Sequence, residues 1–262
     1  MNSLFSKNIA VIGTGNLAFH ICNALKKEGF NLQLIIGRNK TKVAEIGKKF
    51  KVSYTNQISL IPENIDLIFV CVKDDAVEEV IKSIKTDVSN KIIIHTSGSL
   101  AIDVIKKKTK NAGVFYPVFS FNKNRNVNFK KIPVLIEASR GKAQQTISKM
   151  AQIITDNVIS VNSEQRKKIH LAAVISNNFV NYLYTVAEDF LKENKLPFNL
   201  LVPLITDAAL RLQDNLPSKM QTGPALRGDK NILNKHLEIL KNKEIKKIYA
   251  LLSKQIKTRH HQ

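Results

Sequence analysis

Apolar residues come first in short, nearly unbroken runs and later at helical spacing. Ile9 to Ile12, Leu32 to Ile36, Ile65 to Val72, Lys91 to His95 and Ile132 to Ala138 have the continuity of strands buried on both faces of a parallel sheet. Val52 to Tyr54 and Val158 to Val161 add two shorter strands. Between them, Asn16 to Lys27, Lys40 to Phe50, Ala76 to Ile84, Leu100 to Lys107 and Lys142 to Ile154 carry the amphipathic spacing of helices. Strands alternating with helices predict an α/β fold, a doubly wound Rossmann-like parallel sheet of six or seven strands.

After Ser163 the strand pattern ends. Glu164 to Glu193 reads as one long helix that is apolar around much of its circumference, and Pro197 breaks the helical pattern beyond it. Asn199 to Gln213, Lys230 to Lys241 and Glu244 to Lys257 are further helices. The expected division is a dinucleotide-binding domain over 1–162 and a smaller all-α domain over 163–262. A helix apolar on nearly every side needs more cover than three short neighbours give, so a homodimer formed through it is expected.

The first strand runs directly into Gly13-Thr14-Gly15-Asn16-Leu17-Ala18, and Gly29 stands where a helix ends before the next strand. Strand, glycine turn, helix and strand within about 30 residues make the βαβ unit that binds dinucleotides. Gly13 permits the sharp turn, Gly15 leaves room for a pyrophosphate, and Ala18 keeps helix and strand close. The helix N-terminus offers free N–H groups to phosphate. The second strand is followed by Gly37-Arg38-Asn39-Lys40, with no carboxylate before Glu45. A carboxylate there holds the ribose 2′-hydroxyl of NAD, whereas Arg38 can grip a 2′-phosphate on two sides. NADP(H) is therefore the expected cofactor.

Composition narrows the function classes. Two cysteines, Cys22 and Cys71, fall in a predicted helix and a predicted strand and read as small buried apolar residues. No metal-ligand spacing occurs, and the tail pair His260–His261 is too small a set for a site. No signal segment or membrane span is legible, so a cytoplasmic protein is expected. The formal charge of +20 is spread along helices and loops without interleaved aromatics. It fits attraction for a polyanionic cofactor better than nucleic-acid recognition, and nucleic acid is not the expected partner.

Chemistry-bearing residues collect after the strands, where ligands of open α/β sheets sit. Val72 and Lys73 follow the fourth strand, with Asp74 and Asp75 opening the next helix, Asp75 as its cap. Thr96-Ser97-Gly98-Ser99 follows the fifth, offering N–H and hydroxyl groups to a nicotinamide ribose or a substrate, with Ser99 also placed to cap a helix. The stretch from Gly113 to Phe121 clusters aromatics around Pro117 as either a cleft wall or core. On the long helix, His170, Ala173, Val174, Asn177 and Asn181 share a face, making His170 a candidate proton donor and Asn177 an orienting amide. Arg227, in Thr222 to Asp229, either holds an anionic substrate group or pairs with Asp229.

Several of these stretches together resemble one family. The glycine turn, HTSGS at 95–99, FYPVFSF at 115–121, HLAAVISNN at 170–178 and TGPALRGD at 222–229 are similar to bacterial proteins that join a Rossmann-like domain to a domain of unknown function, number 2520. The resemblance spans nearly the whole chain. It implies kinship with pyrroline-5-carboxylate reductase, deazaflavin-dependent NADP reductase and the 6-phosphogluconate and β-hydroxyacid dehydrogenases. It also implies an NADP-binding domain, a helical dimerisation domain and an active site between them. Tyr116 stands where many members carry a histidine, which leaves an acid–base role there open. The β-hydroxyacid dehydrogenases use a lysine on the first interdomain helix, and the 170–181 face offers none, so their mechanism does not transfer.

The combined expectation is an oxidoreductase moving hydride between NADP(H) and a small polar or anionic substrate. Gly13, Thr14, Gly15, Asn16, Leu17, Arg38, Val72, Lys73, Thr96 and Ser97 would hold the cofactor. Gly98, Tyr116 and Arg227 would bind substrate, and His170 and Asn177 would be catalytic. No metal is expected. The alternative is a dinucleotide-binding regulator or scaffold without turnover.

Overall fold

The computed structural model describes residues 4–260. Eight strands form one sheet in the order β3-β2-β1-β4-β5-β6-β7-β8. They are β1 Ile9–Ile12, β2 Leu32–Ile36, β3 Ser53–Thr55, β4 Leu67–Val70, β5 Ile92–His95, β6 Ala112–Pro117, β7 Val134–Ala138 and β8 Val158–Ser160. The helices of this part are α1 Asn16–Lys27, α2 Lys40–Phe50, α3 Asp74–Ser83, α4 Asp103–Lys106 and α5 Lys142–Ile154. The expected doubly wound Rossmann-like sheet is present, with two differences.

The first is an eighth strand. β6 occupies the aromatic stretch read as a cleft wall or core, and Phe115 at its centre is fully buried against Phe69. The second is direction. β7 runs antiparallel to β6, pairing Val114 with Glu137 and Tyr116 with Leu135, while the other pairings are parallel. A parallel return needs a crossover of a dozen or more residues, usually helical. The 118–133 connection carries only a single 3₁₀ turn and comes back as a hairpin.

Two apolar layers sandwich the sheet. One packs α1, α2 and α5 over Ile9, Val11, Ile35, Phe69, Phe115 and Ile136. The other packs α3 and α4 over Ala10, Ile12, Ile68, Val70, Ile93 and Val114. Alternate residues of each strand serve opposite faces, which is why the runs had to be apolar throughout. Cys22 and Cys71 are buried and unpaired, as expected. Burial holds both thiols in the protonated form, pushing Cys71 up to about 12 and Cys22 higher still.

The long helix is not uniform. α6 spans Ser163–Ala173, a π-helical segment spans Val174–Phe179, and α7 spans Val180–Glu193. Asn162 opens α6 with a capping box, accepting from the Gln165 N–H while Gln165 returns a bond to the Asn162 N–H. The chain divides into compact units at Ser176/Asn177, inside the π segment and 14 residues beyond the expected boundary at 162/163. The second unit, Asn177–Gln262, contains α7, α8 Val202–Leu210, α9 Pro224–Arg227, α10 Lys230–Ile239 and α11 Lys243–His260. His261 lies outside the described residues.

Candidate functional site

The glycine turn is shaped by close approach. Gly13 has φ +136°, and a Cβ there would lie 2.1 Å from the carbonyl oxygen of Cys71. Only glycine fits both the angle and the space. A Cβ on Gly37 would meet the Thr14 side chain at 2.3 Å, so the ends of β1 and β2 touch through Thr14. At Gly15 the result is opposite: a Cβ would meet nothing within 4 Å. That open space in front of the α1 N-terminus is what a pyrophosphate would fill, so the turn fits a dinucleotide.

The other predicted cofactor residues surround this turn. Arg38, at the end of β2, is exposed and has no hydrogen bond or ion pair among the described residues. Asn39 caps α2 by accepting from the Lys42 N–H. Leu17 and Val72 are half-buried against the two core layers. Lys73 is exposed at the α3 start. The Asn16 side chain is committed elsewhere: its amide donates to the Phe121 carbonyl at 3.0 Å. His20 likewise donates to the Asn122 carbonyl at 2.9 Å. Together they pin the 121–123 loop onto α1.

After β5 the backbone forms a tight, self-satisfied turn. Ser97 N–H donates to His95 Nδ1 at 3.2 Å. The Ser97 hydroxyl accepts from the N–H groups of Ser99 and Leu100, at 3.1 and 3.0 Å. Most donors that sequence reasoning offered to a ligand are therefore used inside the turn. Thr96 is also buried, its hydroxyl 3.5 Å from the Val70 carbonyl. Ser99 does not cap a helix: α4 begins only at Asp103, and the Ser99 hydroxyl donates to Asp74 instead. Nor does Asp75 cap α3, whose cap position is Lys73 with no side-chain bond. Lys73 already has extended backbone, so both aspartates fall in the first helical turn, where they complement the dipole.

Gly98 lies directly beneath two ring side chains. A Cβ there would lie 2.6 Å from His170 Nδ1 and 2.8 Å from Tyr116 Cζ. His170 and Tyr116 close over the glycine, with the tyrosine hydroxyl 3.0 Å from His170 Nδ1 and the rings edge to face. Burial, and then the negative charge of Asp74, raise the Tyr116 pKa, so its hydroxyl keeps its proton through neutral pH. His95 is wholly buried behind the turn. Desolvation, reinforced by the positive Arg166, lowers its pKa to about 4 and keeps the ring neutral. Its Nδ1 accepts from Ser97, so the ring proton is on Nε2.

Sequence reasoning missed a second cluster. Arg166 is fully buried on α6, and its guanidinium bonds Glu137 on β7 and the Leu100 carbonyl. The Ser163 hydroxyl lies 2.8 and 3.0 Å from the two Glu137 oxygens and accepts from the Ile102 N–H at 3.1 Å. The detectable signal was an arginine four residues before His170, on the same helical face.

Two predicted site residues belong to the other unit. Asn177 lies within the π segment, where each residue turns through less than the 100° of an α-helix. Arg227 Nε donates to Asp229 at 3.0 Å, the pairing alternative of the sequence reading. Asp229 occupies the α10 cap position, but its carboxylate goes to Arg227 and not to the helix. Among the described residues no group of three or more His, Cys, Asp or Glu is placed to hold a metal.

The comparisons with known proteins fit this architecture. Residues 8–98 match the family described as NADP oxidoreductase coenzyme F420-dependent, and residues 132–256 match the domain of unknown function DUF2520. A candidate NADP oxidoreductase from Bacteroides fragilis is 35% identical over 97% of this chain and 99% of its own, with a TM-score of 0.90. The chain belongs to the DUF2520 proteins. More distantly similar structures include a reductive aminase from Aspergillus terreus solved with NADPH, at 11% identity over 95% of this chain and 93% of that one, TM-score 0.72. They also include pyrroline-5-carboxylate reductase from Streptococcus pyogenes, at 15% identity over 96% and 98%, TM-score 0.62. At those identities they show the fold alone. No curated protein matches the sequence.

Proposed function

We propose that this DUF2520 protein is an NADP(H)-dependent reductase of a small polar C=O or C=N substrate, with Tyr116 and His170 handling the proton. The carrying observation is the Tyr116–His170 pair seated on Gly98. It lies in the order β1-β4-β5-β6, beyond the strands that bear the glycine turn. The names of the reductive aminase and pyrroline-5-carboxylate reductase relatives support the substrate class.

Gly13 to Leu17 would receive the pyrophosphate, and unpaired Arg38 the 2′-phosphate. Val72, Lys73, Thr96 and Ser97 would line the path to the nicotinamide. The bound cofactor supplies the hydride. The Tyr116 hydroxyl, kept protonated by burial, supplies a proton to the developing oxygen or nitrogen anion, and His170 Nδ1 takes part as its hydrogen-bond partner. Asn177 as an orienting amide and Arg227 as an anion anchor remain part of the proposal.

The reading extends to assembly and setting. The exposed Leu171, Ile175 and Phe179 of the long helix, together with Leu200 and Leu204, support a homodimer. No described helix is long and apolar enough to cross a membrane, and two free cysteines fit a cytoplasmic setting.

The test is NADPH consumption across small ketones and imines, with and without added amines. His170→Ala and Tyr116→Phe should each cut turnover by ~100-fold or more while NADPH affinity holds. Unchanged turnover in both variants would remove the pair from the reaction. Tight NADPH binding without consumption on any substrate would favour the regulator alternative.

A further inference from the structure

We propose that the Arg166–Glu137–Ser163 cluster, built around the buried Arg166, is a positioning device that locks the 96–102 turn to the start of α6 and thereby sets the geometry of the Tyr116–His170 pair. It rests on the reading of that pair as the proton-handling group.

A buried arginine is expensive, and its ion pair rarely repays the desolvation in full. Arg166 has no exposed surface, and its Nε has no hydrogen-bond partner. An apolar side chain of the same length would serve the core at least as well. The retained charge therefore points to a job other than stability.

The contacts say what that job is. Within the 96–102 turn Ser97 holds Ser99 and Leu100, while the Ser99 hydroxyl reaches Asp74 at the start of α3. The turn's two bonds to α6 are made by the cluster: Leu100 carbonyl to Arg166, and Ile102 N–H to Ser163. Glu137 anchors both α6 residues from β7. Gly98 lies two residues before Leu100, and His170 one helical turn after Arg166. Shifting α6 against the turn would lift His170 from Gly98, where less than a methyl group of clearance exists. The Arg166 charge also reaches the pair, offsetting part of the rise at Tyr116.

The experiment reads the pair directly. In protein labelled with ¹⁵N-histidine, the His170 ring signals report whether Nδ1 is bonded to Tyr116, and Tyr116→Phe supplies the broken reference. Arg166→Met should move the His170 signals toward that reference, with NADPH affinity retained. Glu137→Gln, which preserves shape, should move them part of the way, and Arg166→Lys should restore most of the native pattern. In the substrate assay, kcat of Arg166→Met should fall about 10- to 100-fold, more than KM changes. If Arg166→Met does not fold, Glu137→Gln and Arg166→Lys decide. Native His170 signals in folded Arg166→Met or Glu137→Gln would overturn the proposal, as would displaced signals with undiminished kcat. Displaced signals in a protein that turns over no substrate even as wild type would uphold the device and reject the reductase reading.

Discussion

The two compact units solve the burial problem in opposite ways. In Met1–Ser176 the strands inside the two edge strands β3 and β8 are almost wholly inaccessible, and the exposed large apolar side chains that precede α6 are scattered. Among the described residues of Asn177–Gln262, Ala225 alone is a buried apolar residue, while Leu200, Leu204, Leu210 and Leu216 are all more than half exposed. A chain that selected such leucines without covering them would carry a large aggregation hazard. The first unit has a core of its own. The second has the materials for a core that a single copy does not complete, which is what the proposed dimer would provide.

The largest expected contrast comes from core truncation. Phe115→Ala, removing a fully buried ring packed against Phe69, should cost ~3–5 kcal/mol in denaturant unfolding. The comparable change at exposed Leu204 should cost little in dilute monomer and much more where the protein associates. Equal losses at both concentrations would break the comparison.

Acid should act next, and on the first unit. His95 has its pKa depressed from 6.5 to about 4, so the folded protein binds fewer protons than the unfolded chain between those values. Its contribution, at most about 3 kcal/mol, is complete above pH 6.5 and lost as pH falls toward 4. His95→Gln should flatten that part of the pH–stability curve, and a curve of unchanged slope would sink the assignment.

A charge placed on the second unit tests its incompleteness more gently. Phe179→Asp should shift sedimentation toward monomer, whereas Tyr54→Asp, on the exposed edge strand β3, should leave it unchanged. The smallest effect concerns the thiols. Cys22 and Cys71 should resist a thiol reagent in the native protein and react on unfolding.

Much of the first unit was legible because its signals are local. The IAVI run, the Gly13 and Gly15 spacing and the α1 limits come from period, turn chemistry and helix ends within a few residues of each other. β6 was not read as a strand because Pro117 and the aromatics imitate a loop or a cleft wall, and its antiparallel partners on β7 lie between 17 (Pro117 to Val134) and 25 (Gly113 to Ala138) residues away. Tyr116 and His170 were both named as candidates, but not as partners, since 54 residues separate them. The Glu137–Ser163–Arg166 cluster was missed for the same reason: apart from the spacing of Arg166 and His170, each residue is ordinary until the fold brings β7, α6 and the 96–102 turn together. The π segment that holds Asn177 was not read either, because nothing in VISNNF announces one.

Helix α6 works as a ruler. Its zero mark is Ser163, pinned to Glu137, and its reading mark is His170, seven residues and about 10 Å further along. Adding or deleting a single residue between those marks would swing the imidazole about 100° around the axis. A loop elsewhere could change length without moving either mark, but this short count is one length that the pairing over Gly98 does not allow to drift.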